Sequence, residues 1–384
     1  MSLKFKLKLE LLRMELKGWV YVSLMVLLFQ NGFCADKNDP GLHVNCSSGV
    51  RVYDECMRRC KCTAEGNMVD CYRVRKDFES MSIPERRLYI QTLKKASSVE
   101  PYKSEYDRIT KYHSDLFNQV HILEYFFPWH RWYLLLFENL LRKIDCRVTV
   151  PYWDWSRAVG AGRLWRGSYL HDVWSPGPHG IGGNGEGSKR IVTNGPLRKD
   201  SWELPAWHEQ PWLSREFNDC YKERLPNSHE VRDLLCMPRE KFVKFEDTVR
   251  DVMHNDFHNA IGGVMSLDAS ANAPEFWFHH GYIDKVWSDW QKRGKDFKYQ
   301  YYHTVRSDLP GAGIHGTELV DLSGQPGKVK VVYDDPEPRP RDEEYDPSVP
   351  DARPIFLCDD DDDDDDDENH QKYHEKYYKK ITIP

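Results

Sequence analysis

His113, His121 and His130 in one stretch, and His254, His258 and His280 in another, form two sets of three imidazoles set in aromatic, helix-forming sequence. Neutral imidazole is a good ligand for copper, and two separate trios are what a pair of copper ions sharing one oxygen molecule requires. His254-Asn255-Asp256-Phe257-His258 is an H-x-x-x-H pair, which on a helix places both rings on one face. Taken alone, such a pair is equally two core histidines. Zinc-protease chemistry is excluded, because it needs Glu directly after the first histidine as general base, and Asn255 stands there.

The elements that must carry these rings are legible from periodicity. Downstream of the pair, Ile283, Val286, Trp287 and Trp290 follow helical spacing, which predicts a helix over 279–293 that brings His280 to the first two rings. Ile109, Tyr112, His113 and Leu116 share one stripe, predicting a helix over 103–117 with His113 facing inward. An unpaired polar ring there is costly, although a carbonyl partner would satisfy it as well as a metal. Phe127-Pro128-Trp129-His130-Arg131-Trp132-Tyr133-Leu134 leads into a Leu- and Phe-rich run through Ile144, predicting a buried helix over 130–144 with His130 near its first turn. His121 falls in or near the preceding connection. A helix over 245–261 carries the H-x-x-x-H pair, and Ser82-x-x-Glu85 with Pro84 opens another through Lys95. The expected fold is mainly α: an antiparallel four-helix bundle holding a binuclear copper site, with long loops, few short strands and a small disulfide-rich N-terminal module.

His121-x8-His130 with Pro-Trp-His-Arg, Pro151-Tyr152-Trp153-Asp154-Trp155, His254-Asn255-x-x-His258 with Gly262-Gly263, and His279-His280-x-x-x-Asp284-x-x-Trp287 together resemble the tyrosinase family's central domain over roughly residues 76 to 300. The resemblance implies two copper ions, one held by His113, His121 and His130 and the other by His254, His258 and His280. It implies oxidation of phenolic or catecholic molecules, or of protein tyrosines, by O2 to o-quinones. His279 and Asp284 would orient their neighbours. Glu246 falls where some members keep a glutamate that holds a water near the second copper, and members with Asn at the position of Asn255 tend to hydroxylate monophenols. An exposed helix carboxylate and an uninvolved polar residue are the plain alternatives for these two. Leu267 matches the position that overhangs the substrate entrance.

Two departures stand out against the family. Gln119 replaces the cysteine that in many members forms a thioether to the second histidine, and Asn272-Ala273-Pro274 replaces Asp-Pro ahead of the final histidines, removing a carboxylate expected to cap or orient that turn. Three rival functions stay open: a catechol oxidase without monophenolase activity, an oxygen carrier, and a secreted matrix protein with a vestigial site. Mollusc hemocyanins resemble the site but add a β-rich covering domain, and only about 80 residues follow Arg306, many of them Pro and Asp. All six ligands are present, which weighs against the vestigial reading.

Residues 1–34 read as a signal peptide: Lys4, Lys6, Lys8, Arg13 and Lys17 precede an apolar run from Trp19 to Phe29, too short for a span. An uncleaved anchor and a start at Met14 are the alternatives. Secretion, an oxidising setting and no stable membrane association follow. Ten cysteines then read as disulfide partners, with Cys46, Cys56, Cys60, Cys62 and Cys71 crowded into a module over 35–75. Zinc binding there competes, connectivity is not deducible, and removal of Cys34 leaves an odd thiol. Asn45-Cys46-Ser47 is a glycosylation sequon. The tyrosinase-like domain is expected over 76–305, interrupted by a glycine-rich stretch from Gly177 to Gly187 that reads as a surface loop, since no Walker lysine follows.

A C-terminal extension over 306–384 becomes proline-rich and acidic from Asp334 to Pro354, as an extended linker does, and ends beyond nine consecutive aspartates, Asp359 to Asp367. That run outweighs the formal net charge of −7 and leaves the body near neutral, with no basic footprint for nucleic acid. It reads either as a solvated tail or as a binder of calcium or mineral. Tyr373, Tyr377 and Tyr378 beyond it are candidate targets of the enzyme itself.

Overall fold

The structure is a computed structural model that describes residues 46–47, 49–167, 172–303 and 308–336. The signal segment, the sequon asparagine, most of the proline-rich linker, the aspartate run and the terminal tyrosines lie outside the described residues. No helix among the described residues is long and apolar enough to cross a membrane.

Three strands, β1 (Arg51–Tyr53), β2 (Arg59–Cys62) and β3 (Met68–Arg75), form an antiparallel meander. To its edge β4 (Val331–Tyr333) adds in parallel, with Arg73, Val74 and Arg75 opposite Val331, Val332 and Tyr333. Cys60–Cys71 closes the meander, and Cys56–Cys146 ties it to the chain just past the second of the histidine helices. Cys62 and Cys236 are also disulfide-bonded, whereas Cys220 is a free, exposed thiol. Two residues that composition assigns to the linker are pinned: Asp334 pairs with Arg59 at 2.6 Å and Asp335 with the buried Lys285 at 2.9 Å.

Helix α1 runs over Ile83–Ser98, opened by the expected capping box: Ser82 accepts from the Glu85 amide and the Glu85 carboxylate accepts from the Ser82 amide. Helices α2 (Tyr102–Val120) and α3 (Phe126–Ile144) carry the first trio. Both exceed their predicted bounds, α3 by four residues at its start. Pro128 lies in the first turn of α3, where its missing N–H costs nothing. The second trio begins on a composite helix: α4 (Phe242–Thr248), a π-helical stretch over Val249–Asn255, and α5 (Asp256–Ile261). It ends on α6 (Pro274–Lys292), which starts earlier than apolar spacing indicates because Pro274 is preorganised for the first helical position.

The turn into α6 lacks the expected carboxylate and is held in other ways. Asn272 donates its side-chain amide to the Ala269 carbonyl at 2.9 Å. Glu275 in the first turn forms a two-pronged, fully buried ion pair with Arg215 at 2.7 and 2.8 Å. Arg215 Nη1 also donates to the carbonyls of Ile181, Gly182 and Gly183, so the glycine-rich stretch is in part a carbonyl cage around a buried guanidinium. Gly182, at φ +79°, has no room for a Cβ, which would lie 2.4 Å from the Asn194 carbonyl oxygen.

Aromatic stacking joins the histidine helices. Phe137 of α3 lies on Trp277 of α6 at 3.6 Å, Phe127 of α3 on Trp287 at 5.0 Å, and Phe245 of α4 on Trp290 at 4.2 Å. Such pairs contribute about 0.5–1.5 kcal/mol each beyond the area they bury.

Candidate metal centre

The two trios meet at the centre of these helices. One nitrogen from each of His113, His121 and His130 lies within 4.8 Å of the other two, and His254, His258, His279 and His280 form a second such group. The groups adjoin: His121 and His254 ring centroids are 5.3 Å apart, and His130 stacks on His280 at 4.6 Å. The other histidine-, cysteine- or carboxylate-rich grouping among the described residues, Asp54 with Cys60 and Cys71, offers no thiolate because its sulfurs are bonded to each other.

Hydrogen bonds decide which nitrogen each ring presents. His113 Nδ1 donates to the Asp268 carbonyl at 2.8 Å, His121 Nδ1 to Phe117 at 2.7 Å, His130 Nδ1 to Phe126 at 2.7 Å and His258 Nδ1 to Met265 at 2.6 Å. A carbonyl only accepts, so each ring carries its proton on Nδ1 and keeps the Nε2 lone pair. His254 reaches the same state differently, through the Asn255 side-chain oxygen at 2.9 Å. The Nε2 atoms of His113, His121, His130 and His254 are buried without a hydrogen-bond partner, which is costly unless they ligate an ion. His280 places Nε2 3.3 Å from His258 Nε2 and is held by stacking, with Phe276 at 4.0 Å on one side.

His279 sits in the second group by distance but not by chemistry. The indole N–H of Trp155, a pure donor, points at His279 Nδ1 at 3.2 Å. The neutral His279 ring therefore carries its proton on Nε2 and has no lone pair left for an ion. It packs flat on Phe257 at 4.3 Å and on His254 at 5.5 Å. Asp284 lies one turn beyond His280, and its oxygens bind Arg131 at 2.6 Å, Arg75 at 3.3 Å and Tyr333 at 2.6 Å.

Burial holds all six of these rings well below the ordinary imidazole value, His121 and His258 at about 4. They are neutral at pH 7, as metal ligation requires. Glu246 behaves oppositely: burial lifts its carboxyl to about 7, although Arg250 pairs with it at 3.1 Å. Its other oxygen is buried and unpartnered. Glu246 and Asn255 do not bond each other. They are linked by Arg250, which donates to Glu246 and, at 2.9 Å, to Asp251, while Asn255 donates to Asp251 at 3.2 Å. Arg250 and Asp251 went unread in the sequence because a charged helix face looks the same whether or not it touches a site.

Leu267 is half exposed and sits between two anchored points: the Met265 carbonyl holds His258 of one trio and the Asp268 carbonyl His113 of the other. Gln119 is exposed on the last turn of α2, so His121 has no neighbouring sulfur to join.

The sequence model for the common central domain of tyrosinase matches residues 103–293, the stretch that contains all six rings. A tyrosinase of Streptomyces lincolnensis is 30% identical over 271 residues, which cover 65% of this chain and 89% of that protein. Grixazone synthase of Streptomyces griseus is 28% identical over 291 residues, covering 62% of this chain and 90% of the relative. A variant polyphenol oxidase from Thermothelomyces thermophila shares the fold, with a TM-score of 0.54 at 20% identity over 69% of this chain and 89% of that one.

Proposed function

The chain belongs to the tyrosinase family, and from that premise we propose that it hydroxylates monophenols to o-diphenols and oxidises o-diphenols to o-quinones with O2. The observation that carries this reading is the convergence of two adjoining histidine groups, with the buried Nε2 atoms of His113, His121 and His130 in one and of His254 in the other lacking a hydrogen-bond partner. His113, His121 and His130 would hold one copper ion and His254, His258 and His280 the other, on four helical segments that we take to form an antiparallel bundle around them. Bound copper supplies the activation of molecular oxygen and the electron transfer from the ring.

This chain's own residues do the rest. The five Nδ1 hydrogen bonds aim the ligands before metal arrives, and His279 and Asp284 act as positioning residues, His279 by packing on His254 and Asp284 by anchoring α6. Glu246, titrating at about 7, is the group suited to accept a phenolic proton through a water, with Asn255 at the other end of the linked chain. Leu267 would overhang the entrance. The cysteine-rich segment, the leader and the domain limits read from the sequence support an extracellular enzyme. Its setting would be pigmentation or hardening of a matrix, with Asp359–Asp367 available for calcium or mineral.

Copper content measured with oxygen uptake on 4-methylcatechol and on the matching monophenol tests the reading. Two coppers per chain with both activities supports it. Activity on the catechol alone, even when primed with a trace of catechol, makes the chain a catechol oxidase. Copper with reversible oxygen binding and no turnover makes it a carrier, and a protein without copper or turnover makes it a matrix component.

A further inference from the structure

Among the ligands whose Nδ1 is hydrogen-bonded, four take a backbone carbonyl as partner and His254 alone takes a side chain. A carbonyl cannot turn round. A primary amide can: rotated by half a turn, Asn255 would present its NH2 to His254, His254 Nδ1 would have to accept, and the ring proton would move to Nε2, the atom needed for copper. Asn255 is exposed, so water alone would satisfy either orientation. Something else must choose.

We propose that Asp251 is a positioning residue for the second copper site, whose carboxylate locks the Asn255 amide so that its oxygen faces His254. The inference rests on His254 being a copper ligand. Asp251 Oδ1 accepts from Asn255 Nδ2 at 3.2 Å, and a carboxylate has no proton to give, so the flipped amide would set oxygen against oxygen. Arg250 Nη1 donates to the same Asp251 oxygen at 2.9 Å and is itself gripped by Glu246 at 3.1 Å and Asp247 at 2.5 Å. The order of bonds is thus Glu246, Arg250, Asp251, Asn255, His254, all on one helix, with the last four in its π-helical stretch. Such stretches recur at functional sites. Proton position on a ligand is thereby decided two side chains away, on a partly exposed face.

The test is copper retention by the loaded protein against a graded copper(I) chelator, with the melting temperature recorded for each variant. Asp251→Ala should release one of the two ions about 10- to 100-fold more readily than wild type while the other stays, the usual scale for losing an outer partner of a ligand. Asp251→Glu, which keeps an acceptor, should hold both. In the Asp251→Ala background, Asn255→Asp should restore retention, because either oxygen of a carboxylate accepts from His254 Nδ1 and no lock is needed. A purely structural role for Asp251 would not be rescued that way. Equal retention by Asp251→Ala and wild type, or failure of the second substitution to restore it in a protein melting like wild type, overturns the proposal. A wild type that binds no copper refutes the metal reading itself, a separate result.

Discussion

The histidine centre and the sheet-side clamp are both buried, yet their bonds span very different lengths of chain. In the centre most partners are near in sequence: His121 and His130 each bond the carbonyl four residues back, His254 its own neighbour and His258 the carbonyl seven residues on, with the His113 bond to the Asp268 carbonyl, 155 positions away, as the exception. In the clamp, Arg75 of β3 reaches Glu138 across 63 positions, Asp284 across 209 and Tyr333 of β4 across 258. Arg131 closes it by pairing with Asp284 and donating to the Val320 carbonyl. Four of the five imidazole bonds are short-range, whereas every bond Arg75 makes in the clamp is a long-range one between charged or hydroxyl groups. The two regions should therefore fail differently when broken.

Substitution at the centre should produce the largest functional loss with little change in folding. His258→Ala should leave about one copper per chain and abolish catechol oxidation, because oxygen chemistry needs both ions. The exposed His229→Ala should change neither. Metal analysis beside oxygen uptake reads this, and equal copper in wild type and His258→Ala would end the ligand assignment.

Substitution in the clamp should do the reverse. Asp284→Ala removes the carboxylate partner of Arg131 and one of the two carboxylates on Arg75, both about 1% exposed, and the uncompensated buried charge left on Arg131 costs about 3–5 kcal/mol. Burial disfavours the charged form of Arg75, but Glu138, Tyr333 and Asp284 outweigh it and hold the guanidinium above its ordinary range. The expected fall in melting temperature is roughly 10 °C. The protein that remains folded should still bind two coppers. Loss of copper without loss of stability would place Asp284 with the centre after all.

The same contrast explains what was legible beforehand. Helical periodicity, the Ser82 capping box and the spacing of six histidines are patterns within a few turns of chain, and the helices and both trios follow from them. The π-helical stretch was not legible, because what defines it is a set of i→i+5 backbone hydrogen bonds that no side-chain type marks. Nor was the pairing of β4 with β3, since three residues near position 331 carry no mark of a partner near position 73. The resemblance gave Asp284 a part in orienting a neighbour without naming one, and its partners lie on β3, α3 and β4. Glu275 and Arg215 were invisible for the same reason, 60 positions apart.

Glu246 tests whether a buried carboxyl linked to His254 through Arg250, Asp251 and Asn255 divides the two activities. Glu246→Gln should lower monophenol hydroxylation about 100-fold, the scale of general-base assistance, and spare oxidation of the matching catechol, whose proton leaves more easily. The pH profile has a definite sign. With its carboxyl raised to about 7, wild-type Glu246 is protonated below that pH and cannot accept a proton, so hydroxylation should rise with pH through about 7. In Glu246→Gln that rise should disappear. An unchanged profile would return Glu246 to a structural partner of Arg250.

The smallest effect is expected at Leu267, which the proposed reading sets over the substrate entrance. Its neighbours Met265 and Asp268 are pinned through their carbonyls to His258 and His113, so the backbone here cannot retreat to admit a larger side chain without disturbing a ligand of each trio. The Leu267 side chain itself is 48% exposed and free to be enlarged outward. Leu267→Phe should therefore keep both coppers and the melting temperature. If residue 267 overhangs the entrance, KM for a phenol with a bulky para substituent should rise by about 1 kcal/mol, roughly fivefold, and phenols without one should be affected less. A fall in kcat for both, with KM unchanged, would mean that the enlarged ring had pushed on the pinned carbonyls, making position 267 part of the ligand support and not of the entrance.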